Sequence, residues 1–101
     1  MSQREALLIL SNPVDGKDAE FREWYWGIHI PEVLGLPVIE AAHRYSVPDA
    51  LRANAPQRYA TLYDVKGSAA EAMNALFTSG LSSSDTLDVA TVVVLPLVVH
   101  D

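Results

Sequence analysis

The chain has 101 residues, half of them hydrophobic, which fits one domain, residues 1–101, built around one core. Seven Lys plus Arg against thirteen Asp plus Glu leave a net charge of −6, which argues against general electrostatic binding of nucleic acid or an anionic membrane. With no cysteine there are no disulfides, thiolate metal sites or cysteine nucleophiles.

Residues 1–5 (MSQRE) lack the basic segment and apolar run of a secretory leader. The apolar run at 89–99 is too short to cross a bilayer and contains a proline. A cytoplasmic location is the expectation.

Residues 6–10 (ALLIL) form a short apolar run stopped by Ser11-Asn12-Pro13, the pattern of a buried strand. Asp15 or Asp18 is then placed to cap a helix whose first turn also carries Glu20. In that helix Phe21, Trp24, Tyr25 and Ile28 recur at i, i+3, i+4 and i+7, a single apolar stripe, and Trp26 points away from it. His29 follows Tyr25 by one turn. Pro31 removes a backbone donor and disfavours helical geometry at Ile30, so the regular helix is expected to end or kink there.

Residues 38–47 read as a strand with Ile39, Ala41, His43 and Tyr45 on one face and Val38, Glu40, Ala42 and Arg44 on the other. A polar loop at 48–56 leads to a strand at 58–66 with Tyr59, Thr61, Tyr63 and Val65 on one face. Ser68-Ala-Ala-Glu71 has the form of a capping box, opening a helix that places Ala69, Ala72, Met73, Leu76 and Phe77 on one face. Gly80 ends it. Residues 81–84 read as a small polar linker. Residues 87–99 read as one long strand apolar on both faces, with Pro96 implying an edge, a bulge or a strand end.

The order is strand, helix, strand, strand, helix, strand. This is the α+β, ferredoxin-like βαββαβ arrangement, a four-stranded antiparallel sheet with two helices on one face. The other sheet face would be bare and largely apolar, and a second copy pressed against it would cover it, giving a homodimer.

Candidate chemistry centres on residues 21–33. His29 titrates near neutrality, so it is either a general acid or base or a helix-end histidine capping carbonyls. His43 is either a histidine satisfied in the core or dimer interface, or one that meets His29 across a cavity. His100 is expected in solvent. Trp24, Tyr25, Tyr59 and Tyr63 are candidates to line a pocket for a flat or apolar ligand, with plain core as the alternative. Arg44 is either an anchor for an anionic substrate or half of an ion pair. Glu32 is either an acid–base partner or a solvated carboxylate. The histidines show no HxH or HxxxH spacing, and the glycines are scattered, so neither a metal site nor a phosphate-cradling loop is expected.

Several of these residues form a recognisable pattern: S-N-P-x-D-G at 11–16, E-F-x-x-W-Y-x-x-x-H-x-P-E-V at 20–33, R-Y at 44–45 and R-Y-x-x-L-Y-x-V at 58–65. This pattern resembles the EthD-like members of the dimeric α+β barrel superfamily. The resemblance implies a homodimer whose sheets pair into a barrel, with a cavity between sheet and helices in each subunit. It maps the family's motif histidine onto His29. Members of the superfamily include cofactor-independent monooxygenases, muconolactone-type isomerases, polyketide cyclases and aldoxime dehydratases. Val38 departs from the pattern, since relatives often carry glycine after the proline.

The resulting expectation is an enzyme, a cofactor-independent lyase or isomerase acting on a small aromatic, polyketide-like or lactone substrate. His29 would be the acid or base, with Tyr25, Tyr59 or His43 polarising a substrate oxygen and Trp24, Tyr63 and Arg44 completing the binding site. The alternatives are a cofactor-free monooxygenase of phenolic or quinol substrates, and a non-catalytic ligand-binding or accessory protein.

Overall fold

The computed structural model describes residues 5–100. Residues 1–4, on which the expectation about a leader largely rests, and residue 101 lie outside the described residues. The chain forms β1 (Glu5–Ser11), a helical segment made of α1 (Asp18–Trp24), a π-helical turn (Tyr25–His29) and α2 (Ile30–Leu34), then β2 (Ile39–Ser46), β3 (Tyr59–Val65), α3 (Ala69–Thr78) and β4 (Val93–Val98). The sheet order is β2-β3-β1-β4, and every adjacent pair is antiparallel. This is the ferredoxin-like fold, with the helices on one face of the sheet.

The core lies between that face and the helices. Leu7, Ile9 and Ser11 of β1 and Tyr59, Thr61, Tyr63 and Val65 of β3 are buried, following the alternation of a strand covered on one side. Phe21, Tyr25, Ile30 and Val33 come down from the first helical segment, and Ala69 and Ala72 from α3. Complete burial of a side chain such as Phe21 or Val33 contributes about 1.5–3 kcal/mol.

The first helical segment departs from the expected stripe. The helical path continues past Pro31, but the regular α-helix gives way to a π-turn just before it. The Ile30 N–H donates to the Tyr25 carbonyl, five residues back, and the chain then resumes as α2 with Pro31 in its first turn. Proline's fixed φ suits a helix start, and α2 begins around it, directly after the π-turn. The wide turn also changes which residues face inward. Ile28, expected on the stripe, is 52% exposed, while His29, Ile30 and Val33 take the inner side. Trp26 does not project freely. It is half-buried, meets Tyr59 edge to face at 5.8 Å, and lies under the Arg44 guanidinium at 4.9 Å.

Three further expectations are corrected. A bulge between Ile39 and Ala41 moves Ile39 to the helix side, where it is buried opposite Val65; Ala42 and Arg44 share that side, and Ala41, His43 and Tyr45 face outward. The long final strand is confined to Val93–Val98, because Asp88 starts a short 3-10 turn (Val89–Thr91), its side chain accepting from the Ala90 N–H and its own N–H donating to the Asn12 carbonyl. The capping box is half made: Ser68 Oγ accepts from the Glu71 N–H at 3.1 Å, but among the described residues the Glu71 carboxylate makes no return bond to the Ser68 N–H; Glu5 of β1 accepts from the neighbouring Ala69 N–H. β4 is an edge strand, which is where Pro96 is tolerated. Gly80 has φ +64° just past α3, a conformation that other side chains rarely adopt.

Candidate active site

A cavity of 280 Å³ opens between the first helical segment, α3, the sheet and the 80–87 loop. Its apolar wall comes from Ile9, Leu76, Leu81, Leu87, Val92 and Val94. Trp24, Tyr25 and His29 form its aromatic side. Phe77, 66% exposed, stands at the mouth.

The π-helical turn is what assembles the aromatic side. In an α-helix, residues five apart lie about 140° apart around the axis, since one turn takes 3.6 residues. The extra residue in the turn cancels much of that angle. The His29 ring therefore stacks on both Trp24, at 4.8 Å and 30°, and Tyr25, at 5.8 Å and 28°. π-turns interrupting α-helices often occur at functional sites.

Behind the histidine lies a polar network that joins the two ends of the cavity. The Trp24 indole N–H donates to Ser82 Oγ at 3.2 Å. The Ser82 hydroxyl and its backbone N–H both donate to Glu32 Oε1, at 2.5 and 3.2 Å. The same carboxylate oxygen lies 4.0 Å from His29 Nδ1, beyond hydrogen-bond length. His29 Nδ1 is buried and has no hydrogen-bond partner, although the His29 side chain as a whole is 17% exposed. Burial holds the imidazole below its ordinary pKa, with the Glu32 carboxylate and the Ser82 backbone opposing that shift. The direction of the shift favours the uncharged ring at neutral pH.

Deeper in, the Tyr25 hydroxyl is bonded to Thr61 Oγ1 at 2.5 Å. Burial keeps the phenol above its ordinary value, while the hydroxyls of Thr61 and Ser11 pull the other way. Tyr25 thus offers the cavity its ring, while its hydroxyl is committed to the core. Ser11 also lines the cavity; it is 2% exposed, and its hydroxyl lies near that of Tyr25 without reaching hydrogen-bond geometry.

The structure brings Trp24, Tyr25 and His29 together and leaves the other candidates elsewhere. Tyr59 donates to Asp18 Oδ1 at 2.5 Å, and burial plus that carboxylate push its phenol up to about 12. Asp18 does not cap its helix: although burial works against its carboxylate, Tyr59, Arg58 and Arg22 together hold it below its ordinary value. Tyr63 is fully buried in the core, its hydroxyl unpartnered and its phenol shifted upward by burial. Arg44 is spent on Trp26. His43 points out of the opposite sheet face and bonds Asp64 Oδ2 at 2.9 Å, so the sheet itself separates it from His29. His100 is exposed.

Two residues at the site escape the sequence reading. Ser82 sits in a segment read as a linker. Ser11 belongs to a turn signal. Glu32, weighed as an acid–base partner or a solvated carboxylate, stands one helical turn after His29 and accepts from Ser82. Among the described residues no cluster of three or more His, Asp or Glu is arranged to hold a metal ion, and no helix is long and apolar enough to cross a membrane.

No family model matches the chain, and no curated protein does. A solved structure that is similar to it is a dimeric ferredoxin-like protein of unknown function from Jannaschia sp. CCS1, with a TM-score of 0.60 and 11% identity, covering 93% of this chain and 97% of the other. At that identity the likeness concerns the fold alone, and it agrees with the ferredoxin-like topology traced above.

The depressed pKa of His29 makes a testable linkage. The unfolded chain carries an ordinary imidazole, so below 6.5 it binds more protons than the folded chain, and stability is lost as pH falls through that window. His29→Phe removes the window. Wild type is expected to lose more stability than His29→Phe between about pH 7 and about pH 5 in denaturant titrations. An equal loss in both proteins would show that His29 is not the buried neutral ring described.

Proposed function

We propose that the protein is a cofactor-independent lyase or isomerase that moves a proton on a small aromatic, polyketide-like or lactone substrate, with His29 as the base. The observation that carries this reading is an imidazole on the wall of an apolar cavity, held below its ordinary pKa by burial, with the Glu32 carboxylate behind it. Such a ring accepts a proton at neutral pH, and the nearby Glu32 carboxylate favours the imidazolium that results. The stack on Trp24 and Tyr25 holds the ring plane, so no rotamer search precedes the reaction. The helix pattern ending H-x-P-E-V supports placing the chain among EthD-like proteins of the dimeric α+β barrel type.

The test uses a substrate surrogate whose chemistry isolates the proton step. 2-Tetralone is an uncharged ketone with acidic protons next to its carbonyl. In deuterated buffer the protein is expected to accelerate its proton–deuteron exchange above the buffer rate, read by NMR. His29→Gln is expected to lower that rate by about 10²–10⁴-fold while leaving the melting temperature nearly unchanged. Undiminished exchange in the variant, or oxygen uptake during turnover, would contradict the proposal.

The active form is proposed to be a homodimer through the open sheet face. That face carries Leu8 and Leu10 of β1, Tyr45 of β2, Leu62 of β3 and Leu95 and Leu97 of β4, interrupted by the His43–Asp64 pair. Tyr45 is 56% exposed, Leu95 41% and Leu97 38%, an apolar surface that a single chain leaves to water. The similar Jannaschia structure is of a dimeric protein, which supports the same arrangement here. Sedimentation is expected to give a two-copy mass, and Leu95→Arg a folded single copy. A wild-type monomer, or a dimer indifferent to the substitution, would rule out this interface.

A further inference from the structure

We infer that the cavity takes an uncharged molecule the size of two fused aromatic rings, carrying one hydroxyl or carbonyl oxygen, and that Ser11 Oγ is the group that fixes that oxygen. This deepens the reading of the cavity as a substrate site and rests on it.

Charge comes first. Fourteen residues line the cavity, and none is Lys, Arg, Asp or Glu. A carboxylate guest would lose its water with no cationic side chain to receive it, and the protein's charge of −6 repels anions besides. A cationic guest is drawn in at long range by that charge, but meets no acidic lining group; Glu32, behind the wall, is already occupied by two donors from Ser82. Neutral guests carry neither penalty.

Size and shape come next. A dry cavity of about 150 Å³ lined by aliphatic and aromatic groups is known to hold benzene. The 280 Å³ available here suits a second fused ring. The stacked faces of Trp24 and His29 form one flat wall, and Ile9, Leu87 and Val94 contribute apolar surface to the lining.

The oxygen follows from Ser11. Ser11, the last residue of β1, lies on the sheet floor of the cavity; it is 98% buried and its hydroxyl is unpartnered. An unpaired buried hydroxyl is destabilising, and the Tyr25 hydroxyl near it is bonded to Thr61. A guest oxygen on this floor satisfies it. The Ser11 hydroxyl both donates and accepts, so a phenol and a ketone each find a partner.

The experiment is a set of titrations at neutral pH followed by the Trp24 indole N–H resonance, with naphthalene, 2-naphthol, 2-naphthoate and 2-naphthylmethylamine as probes. In wild type, 2-naphthol is expected to bind about 10-fold more tightly than naphthalene, the worth of one hydrogen bond. Both charged probes are expected to bind about 100-fold more weakly than 2-naphthol, or less tightly still. Ser11→Ala is expected to erase the preference for 2-naphthol while leaving naphthalene unchanged. A charged probe that binds as well as 2-naphthol overturns the neutral class. A preference for 2-naphthol that survives Ser11→Ala, or that never exists, overturns the role of Ser11. The same titrations on His29→Gln keep this inference separate from catalysis: an intact order of affinities there upholds the ligand class even if the wild type fails to exchange 2-tetralone.

Discussion

One backbone hydrogen bond organises the site. The Ile30 N–H reaches back to the Tyr25 carbonyl rather than to its α-helical partner, and so inserts one residue into the turn before Pro31. The helix can then continue past the proline into α2, keeping Ile30 and Val33 in the core. The same insertion rotates His29 off the helix edge and onto Trp24 and Tyr25. Without it, Ile28 would occupy the inner face and the imidazole would lie to one side. Structural and chemical roles are thus coupled through a single irregular turn.

The two faces of the sheet are put to different uses. On the helix side, aromatic rings fill the β2–β3 half: Phe21, Tyr25, Tyr59 and Tyr63 are all buried. The β1–β4 half is less filled, and the cavity lies there, floored by Ile9, Ser11 and Val94. Polar groups at this site are mostly paired with one another, as in the chain from Trp24 through Ser82 to Glu32. The exceptions are His29 Nδ1, beside the Glu32 carboxylate, and Ser11 Oγ, which the proposed guest oxygen would meet. On the other side the sheet is apolar except for His43 and Asp64, which suits a second protein surface better than a small molecule.

Much of the fold was legible from periodicity. The alternation Tyr59, Thr61, Tyr63, Val65 and the apolar run at 6–10 identify the two central strands, and Gly80 identifies the end of α3. The errors share a physical cause: a strict period was assumed where one residue is inserted. The bulge at Ile39/Ala41 reassigns the faces of β2, and the π-turn reassigns Ile28 and His29. The bulge has no evident local signal, whereas the π-turn lies directly before Pro31, where the sequence predicts that the regular helix ends or kinks. The site was legible in part. The stretch containing Trp24, Tyr25 and His29 is conspicuous by composition, whereas Ser82 joins only because the 80–87 loop folds back over Trp24, a contact 58 residues apart in sequence. Tyr59 and Arg44 looked like ligand contacts because aromatic and cationic groups so often are; here Asp18 and Trp26 engage them.

The central claim is that His29 presents a neutral imidazole to a cavity that admits a guest. Nitrogen-15 spectra of the His29 ring at neutral pH address it directly, recorded before and after saturation with 2-naphthol. The account requires one protonated and one bare ring nitrogen in the free protein, and a shift of the ring signals when the probe enters. A doubly protonated ring, or ring signals indifferent to a saturating probe, would contradict it.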